Sequence, residues 1–179
     1  MNGAVLTYTG IWMRPLEPRP EDINWHDISQ GLSNICRFNG HVKEFVSVAE
    51  HSVLVSREAE KIASEDRKKM VAMWGLLHDA SEAYLCDIPR PLKKQPEFAA
   101  YREAEKALMR CVCLRYGLPL EEPEEVREAD LRALETEGQE LMKNWVSEGV
   151  NPFDVTVHCW APAVAREKFI ARWVEIKST

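Results

Sequence analysis

The stretch Val71-Ala72-Met73-Trp74-Gly75-Leu76-Leu77-His78-Asp79-Ala80-Ser81-Glu82-Ala83-Tyr84-Leu85 decides the fold: its apolar residues recur at helical spacing, and two adjacent metal-grade side chains interrupt them. It predicts one helix from about Glu65 to Leu85, stopped by the prolines of Ile88-Pro89-Arg90-Pro91, because proline lacks an amide hydrogen and clashes with the preceding turn. At about 100° per residue, Val71, Trp74 and Gly75 share a face with His78 and Glu82. Asp79 lies one step round, so His78, Asp79 and Glu82 are expected to converge on one pocket. A His-Asp pair alone is a weak signal. His26-Asp27 opens another apolar helical pattern, and there Asp27 reads as a helix N-cap or first-turn acid and His26 as surface.

Outward from that stretch the chain reads as mainly α. Residues 4–14 alternate Val5, Thr7 and Thr9 against Leu6 and Tyr8 and turn at Gly10, predicting a small N-terminal β-hairpin before the Pro15–Pro20 connector. Further helices are predicted over Asp27–Cys36, over Val42–Ala63 and over Phe98–Tyr116, the last ended by Gly117-Leu118-Pro119. Another follows Pro123 to about Val146, and a final one fits Ala161–Ile176. Phe153–His158 fits either a short strand or an extended connector, and its alternation favours the strand. With no Gly/Ser-rich linker, low-complexity tract or repeat, residues 1–179 are expected to form a single domain.

The net charge of −6 argues against a nucleic-acid polymer as partner, while leaving room for a local basic pocket that holds one nucleotide. The apolar stretches are too short to span a bilayer, and Met1–Leu6 lacks the features of a secretion signal. A cytoplasmic protein without membrane contact is expected. Five cysteines make an odd count without a disulfide pattern. Cys36, Cys86 and Cys159 sit in apolar surroundings suited to buried reduced thiols, and Cys111-Val112-Cys113 has core rather than zinc spacing.

Two more polar side chains occupy apolar helix faces. His51 is flanked at three- and four-residue spacing by Val48, Leu54 and Val55; it is either a core histidine bonded to a backbone carbonyl or a ligand. Asp130 lies between Val126 and Leu134 on what should be a buried stripe; a salt bridge to an arginine or a metal would satisfy it. Glu137, three residues after Leu134, faces either the same side or solvent, and the solvated face fits it better. Together His51, His78, Asp79 and Asp130 form a donor set able to hold one divalent transition metal, with Zn²⁺, Mn²⁺, Co²⁺ and Fe²⁺ all suited to His/Asp ligation. Such an ion acidifies water and polarises a phosphoryl oxygen, and Glu82 could exchange a proton with water or leaving group.

The order His51, His78-Asp79, Asp130 resembles the H…HD…D signature of the HD-domain metal-dependent phosphohydrolases. Ala49-Glu50-His51-Ser52, His78-Asp79-Ala80-Ser81-Glu82-Ala83 and Asp87-Ile88-Pro89-Arg90-Pro91-Leu92-Lys93 resemble its bacterial 5′-deoxynucleotidase branch. Arg37-Phe38-Asn39-Gly40-His41 resembles small bacterial and phage proteins of that branch, a group that includes a dATP triphosphohydrolase.

The resemblance implies an HD-type helical bundle that hydrolyses deoxynucleotides, with His51, His78, Asp79 and Asp130 on the metal and Glu82 as acid/base. Asp87 would orient water or assist a second ion such as Mg²⁺, and Arg37 would hold phosphate. It also implies a homo-oligomer. Lys93 and Lys94 could reach a phosphate tail or form a solvated basic pair, and His41 is either a substrate contact or a surface histidine. Trp12, Trp25, Phe38 and Trp74 are base-stacking or core aromatics. Expected substrates are deoxynucleoside triphosphates, releasing nucleoside and triphosphate, or deoxynucleoside monophosphates. A silent nucleotide or metal sensor and a purely structural bundle are the competing readings.

Overall fold

A computed structural model describes residues 3–147 and 149–178. The chain opens with the hairpin β1 (Val5–Leu6) and β2 (Trp12–Met13), antiparallel with Val5 opposite Met13. Helices follow: α1 (Trp25–Asn34), α2 (Val48–Ile62), α3 (Lys68–Leu77), the single turns α4 (Glu82–Leu85) and α5 (Arg90–Lys93), α6 (Ala99–Tyr116), α7 (Glu124–Leu141) and α8 (Pro162–Ser178). The fold is mainly α with a small N-terminal hairpin. None of the helices among the described residues is long and apolar enough to cross a membrane.

Helix α2 is the hub, because it buries both its faces. Val48, Ala49 and Val53 join Ile28 and Leu32 of α1, Leu76 and Leu77 of α3, Leu108 of α6 and Phe169 of α8 in one core. Val55 and Ala59 join Val71 and Trp74 of α3 and Val126, Ala129 and Ala133 of α7 in a second. Gly75 permits the closest approach of α3: a Cβ there would stand 3.0 Å from Ser56 Cα.

Several boundaries differ from the sequence expectation, each for a local reason. The helix predicted over residues 65–85 is two, with His78–Ser81 as a turn between α3 and α4. His78 Nδ1–H donates to the Gly75 carbonyl at 2.8 Å, occupying the acceptor that a continuing helix would offer to Asp79. The bonds Ala80 N–H to Leu77 O and Glu82 N–H to Asp79 O then tighten the chain to three-residue spacing. Helix α2 starts at Val48 rather than Val42, because Ser47 caps it by accepting from Glu50 N–H at 3.1 Å.

Helix α7 ends at Leu141 rather than near Val146. Asn144 adopts φ 60°, and the chain doubles back so that the Trp145 ring lies on Gly138, where a Cβ would meet it at 2.3 Å. Residues 153–158 form a connector, not a strand. Their amides go to side chains instead: Phe153 N–H to Thr136 Oγ1, Val157 N–H to Glu140 and His158 N–H to Glu50. Asn24, not Asp27, caps α1; Asp27 is a buried first-turn acid that accepts from Thr9 N–H and Oγ1–H at 2.7 and 2.8 Å. Cys86 is exposed, not buried, whereas Cys111 and Cys113 are in the core as expected; all five cysteines are free.

Candidate metal centre

Four segments deliver polar side chains to one point. Cys36 and Ser47 pair as an isolated antiparallel bridge, with Arg37 N–H donating to Val46 O and Val48 N–H to Ile35 O, so Arg37 is anchored beside the start of α2. One turn into α2 stands His51, fully buried. The turn after α3 supplies His78 and Asp79. Helix α7 supplies Asp130 and Glu137, seven residues apart and so two turns along one face.

The ligand atoms lie close. His51 Nε2 is 3.2 Å from His78 Nε2, 3.1 Å from Asp130 Oδ1 and 3.8 Å from Asp79 Oδ2. His78 Nε2 is 3.2 Å from Asp79 Oδ2 and 3.9 Å from Asp130 Oδ1. Nitrogen and oxygen donors at about 2.0–2.2 Å from one ion stand about 3.0–3.5 Å from one another in adjacent positions, and most of these separations fall in or near that range. His51, His78 and Asp79 form the compact set that could hold a metal ion, their ligand atoms all within 4.8 Å of one another.

The hydrogen-bonding logic favours a cation. His78 Nδ1 faces the Gly75 carbonyl at 2.8 Å and His51 Nδ1 faces Glu137 Oε1 at 3.0 Å, both acceptors, so each imidazole carries a proton on Nδ1. Their Nε2 atoms are left to face each other. At 3.2 Å these cannot both bear protons, so the centre presents at least one nitrogen lone pair together with two carboxylates.

The titration of the cluster reflects this arrangement. Burial disfavours the His78 imidazolium, but Asp79, Asp130 and the Gly75 carbonyl outweigh it and lift its pKa to about 9. For His51, burial and Arg37 push downward, and Glu137 and Asp130 overcome them. Burial alone would raise Asp79 and Asp130; the facing imidazoles instead hold both well below the usual carboxylate range. Glu82 runs the other way. Burial, then Asp79 and Asp87, push it well above that range against the pull of Lys93.

Glu82 is buried, with Oε1 accepting from Lys93 Nζ at 2.9 Å and Oε2 lacking any hydrogen-bond partner. Lys93 also donates to Glu105 at 2.7 Å, so its charge is shared, and the upward direction for Glu82 stands despite the ion pair. Asp87 follows Cys86, whose φ of 73° is unusual for a side-chain-bearing residue, and the Tyr101 hydroxyl pins the Cys86 carbonyl at 2.6 Å. Burial, aided by Asp79, raises Asp87 as well, against Arg37 and Lys93.

Arg37 lies within this cluster, its Nε donating to Glu137 Oε2 at 2.8 Å and one terminal nitrogen 3.8 Å from Asp79. Phe38 is half-buried in left-handed backbone, edge-on to Trp145 at 6.1 Å between ring centroids. His41 and Lys94 are exposed and outside the cluster of contacts. Asp130 makes the arginine salt bridge of its first reading, Oδ2 accepting from Arg90 at 2.8 Å, while Oδ1 lies 3.1 Å from His51 Nε2.

Sequence reasoning missed Glu137. It was expected on a solvated face, yet it is fully buried, because Arg37 and His51 both donate to it. The available signal was its seven-residue spacing from Asp130. Arg90 was not singled out as a partner, although arginine was the expected counter-ion.

No protein-family model matches the chain. It is 43% identical over 122 residues to the uncharacterized protein YfdR of Escherichia coli strain K12, an alignment covering 68% of this chain and 62% of that protein. It is 36% identical over 126 residues to an uncharacterized protein of Rhodobacter capsulatus, covering 68% of this chain and 61% of the other. The chain thus spans under two thirds of the length of these curated relatives.

Proposed function

We propose that this chain is a divalent-metal-dependent phosphohydrolase acting on deoxynucleotides, with hydrolysis of a deoxynucleoside triphosphate to nucleoside and triphosphate as the leading reaction. One observation carries the metal-dependent part: two imidazoles with their Nδ1 protons committed elsewhere turn Nε2 toward each other at 3.2 Å between two carboxylates. The resemblance of the local sequence words to HD-domain enzymes supplies the substrate class, and with it the expectation of a cytoplasmic homo-oligomer.

His51, His78, Asp79 and Asp130 would hold the ion, whether Zn²⁺, Mn²⁺, Co²⁺ or Fe²⁺. A divalent ion there supplies Lewis-acid polarisation of a phosphoryl group and acidifies water. The remaining work falls to the chain's own groups. Glu82, raised by burial beside Asp79 and Asp87 and with Oε2 unpartnered, is the group placed to exchange a proton with water or the departing oxygen. Arg37 has its Nε committed to Glu137, leaving the terminal guanidinium nitrogens for phosphate oxygens. Asp87 accepts from and orients water, Phe38 offers a ring face to the base, and Lys93 holds Glu82 in place while facing the phosphate.

Hydrolysis of deoxynucleoside monophosphates is a second reading, favoured by charge pairing. Arg37, Arg90 and Lys93 are each already engaged by a carboxylate, Glu137, Asp130 and Glu82 respectively, which leaves little free positive charge for a long phosphate tail. The test is a product screen of all deoxynucleoside tri- and monophosphates with Mn²⁺, Co²⁺ and Zn²⁺, separating phosphate, pyrophosphate and triphosphate. Release of triphosphate supports the leading reaction and release of phosphate the second. Absence of turnover with every metal and substrate refutes both.

A further inference from the structure

Glu137 is the buried acid that the hydrolytic reading leaves without a task. It is fully buried on α7, and each of its oxygens takes one donor: Oε1 is 3.0 Å from His51 Nδ1 and Oε2 is 2.8 Å from Arg37 Nε. Neither donor belongs to α7, so one carboxylate ties the α2 imidazole to the segment ahead of α2. We propose that Glu137 is a positioning residue that fixes His51 in its Nδ1–H tautomer and fixes the Arg37 guanidinium, so that metal affinity and phosphate affinity depend on the same side chain. The inference rests on the assignment of His51 to the metal and Arg37 to the phosphate.

The chemistry requires a carboxylate with two acceptor oxygens. Free imidazole carries its proton on either nitrogen, and only the Nδ1–H form leaves Nε2 as a donor to a metal. A neighbouring acceptor at Nδ1 selects that form, and a carboxylate also strengthens the ligand. Arg37 is nearly enclosed, so its torsions are set by the one strong bond at Nε, and the direction of its free nitrogens follows. Asp130 cannot substitute, since its two oxygens face His51 Nε2 and Arg90.

Glu137→Gln in the full chain separates the two duties. An amide has one acceptor oxygen and one NH₂ donor, so it can serve His51 or Arg37 but not both. If the oxygen turns to Arg37, the NH₂ group faces His51 Nδ1 and drives the proton to Nε2, where the ion would bind. Co²⁺ affinity should then fall about 10–100-fold, with a changed visible absorption spectrum of the bound ion. If the oxygen turns to His51, the spectrum stays and affinity for inorganic phosphate falls about tenfold, with KM raised more than kcat is lowered. Unchanged Co²⁺ affinity and spectrum together with unchanged phosphate binding would overturn the proposal.

Two features keep this test independent of hydrolysis and of folding of the variant. Co²⁺ spectra and phosphate titration need no turnover, so a protein inactive on every nucleotide can still show the Glu137 effect, and an active protein can still lack it. In the unsubstituted chain, ¹⁵N–¹H correlations of the imidazoles report the tautomer directly. In the metal-free chain a protonated Nδ1 on His51 is expected, and a bare Nδ1 would overturn the proposal.

Discussion

On the proposed metal assignment a proton and the ion would compete for the same place in this centre, which would make metal affinity pH-dependent in a calculable way. In the metal-free protein His78 Nε2 lies 3.2 Å from both Asp79 Oδ2 and His51 Nε2, and the environment of the ring lifts the His78 pKa to about 9. Binding a metal through Nε2 displaces the proton. At pH 7 the group lies about two units below its pKa, so apparent affinity is weakened about 100-fold, about 3 kcal/mol, relative to pH above 9. Affinity should therefore rise about tenfold per pH unit between 7 and 9 and then level off. The sign for stability follows from a folded pKa above the unfolded value of 6.5: this stabilisation of the metal-free fold is complete below pH 6.5 and is lost as pH rises through about 9, a change of about 3 kcal/mol. Calorimetric titration with Mn²⁺ in buffers of different ionisation enthalpy counts the protons. About one released per ion at pH 7, and almost none at pH 9.5, is the expected result. Affinity independent of pH from 7 to 9, or proton uptake on binding, would refute the competition.

The roles of Asp79 and Glu82 separate in paired variants: Asp79→Ala should abolish stoichiometric metal and activity, whereas Glu82→Gln keeps the acceptor for Lys93, retains metal and lowers turnover by about 10²–10⁴-fold. Metal analysis of both proteins beside their rates checks this, and an Asp79 variant with normal metal content would remove it from the ligand set. Gly75→Ala would place a Cβ 3.0 Å from Ser56 Cα and 3.3 Å from Ser56 N, forcing α2 and α3 apart. A loss of about 1–3 kcal/mol is expected, with weaker Mn²⁺ binding because His51 and His78 separate, and denaturant titration with metal binding measures both. Glu50 accepts from the His158, Cys159 and Trp160 amides at 2.8, 3.0 and 2.7 Å. Glu50→Ala should destabilise the fold by about 2–4 kcal/mol and accelerate hydrogen exchange at those three amides, and exchange that stays slow would mean they are held by other groups.

What was legible in the sequence followed from apolar spacing. His51 among Val48, Leu54 and Val55, and Asp130 among Val126 and Ala133, are polar residues on stripes of helical period, so their inward direction follows from spacing alone. The hairpin was legible from alternation ending at Gly10. What failed depended on side chains bonding to distant or unexpected backbone. No spacing rule announces that His78 will take the Gly75 carbonyl and end α3, or that Thr136, Glu140 and Glu50 will take the amides of Phe153, Val157 and His158 in place of a strand partner. Glu137 failed for a related reason. The second half of α7 buries Glu135, Thr136, Glu137 and Gly138 beneath polar partners and the Trp145 ring, so burial there does not coincide with hydrophobicity.

The backbone around the centre carries a second signature of the same design. Phe38 and Asn39 adopt φ of 54° and 52°, Cys86 of 73° and Cys159 of 54°, conformations that disfavour residues with a Cβ by about 1–3 kcal/mol each. Three of these residues sit beside a polar anchor. Phe38 follows Arg37, which is tied to Glu137; Cys86 is pinned through its carbonyl by Tyr101 and precedes Asp87; Cys159 has its amide held by Glu50, the neighbour of His51. A chain held this way places Arg37, Asp87 and the start of α2 by bonds to side chains rather than by regular helix. The buried charge-assisted bond from Arg37 to Glu137, at about 1.5–3 kcal/mol, is strong enough to offset the strain at Phe38. The strained segments flank a regular part, α2 with α3 and α7, that carries His51 and Asp130 and leads into His78-Asp79. The distribution suits the proposed metal centre and the proposed phosphate-holding role of Arg37: rigid elements for the ligands, whose spacing must be kept to tenths of an ångström, and irregular chain where a side chain must reach in from outside the bundle.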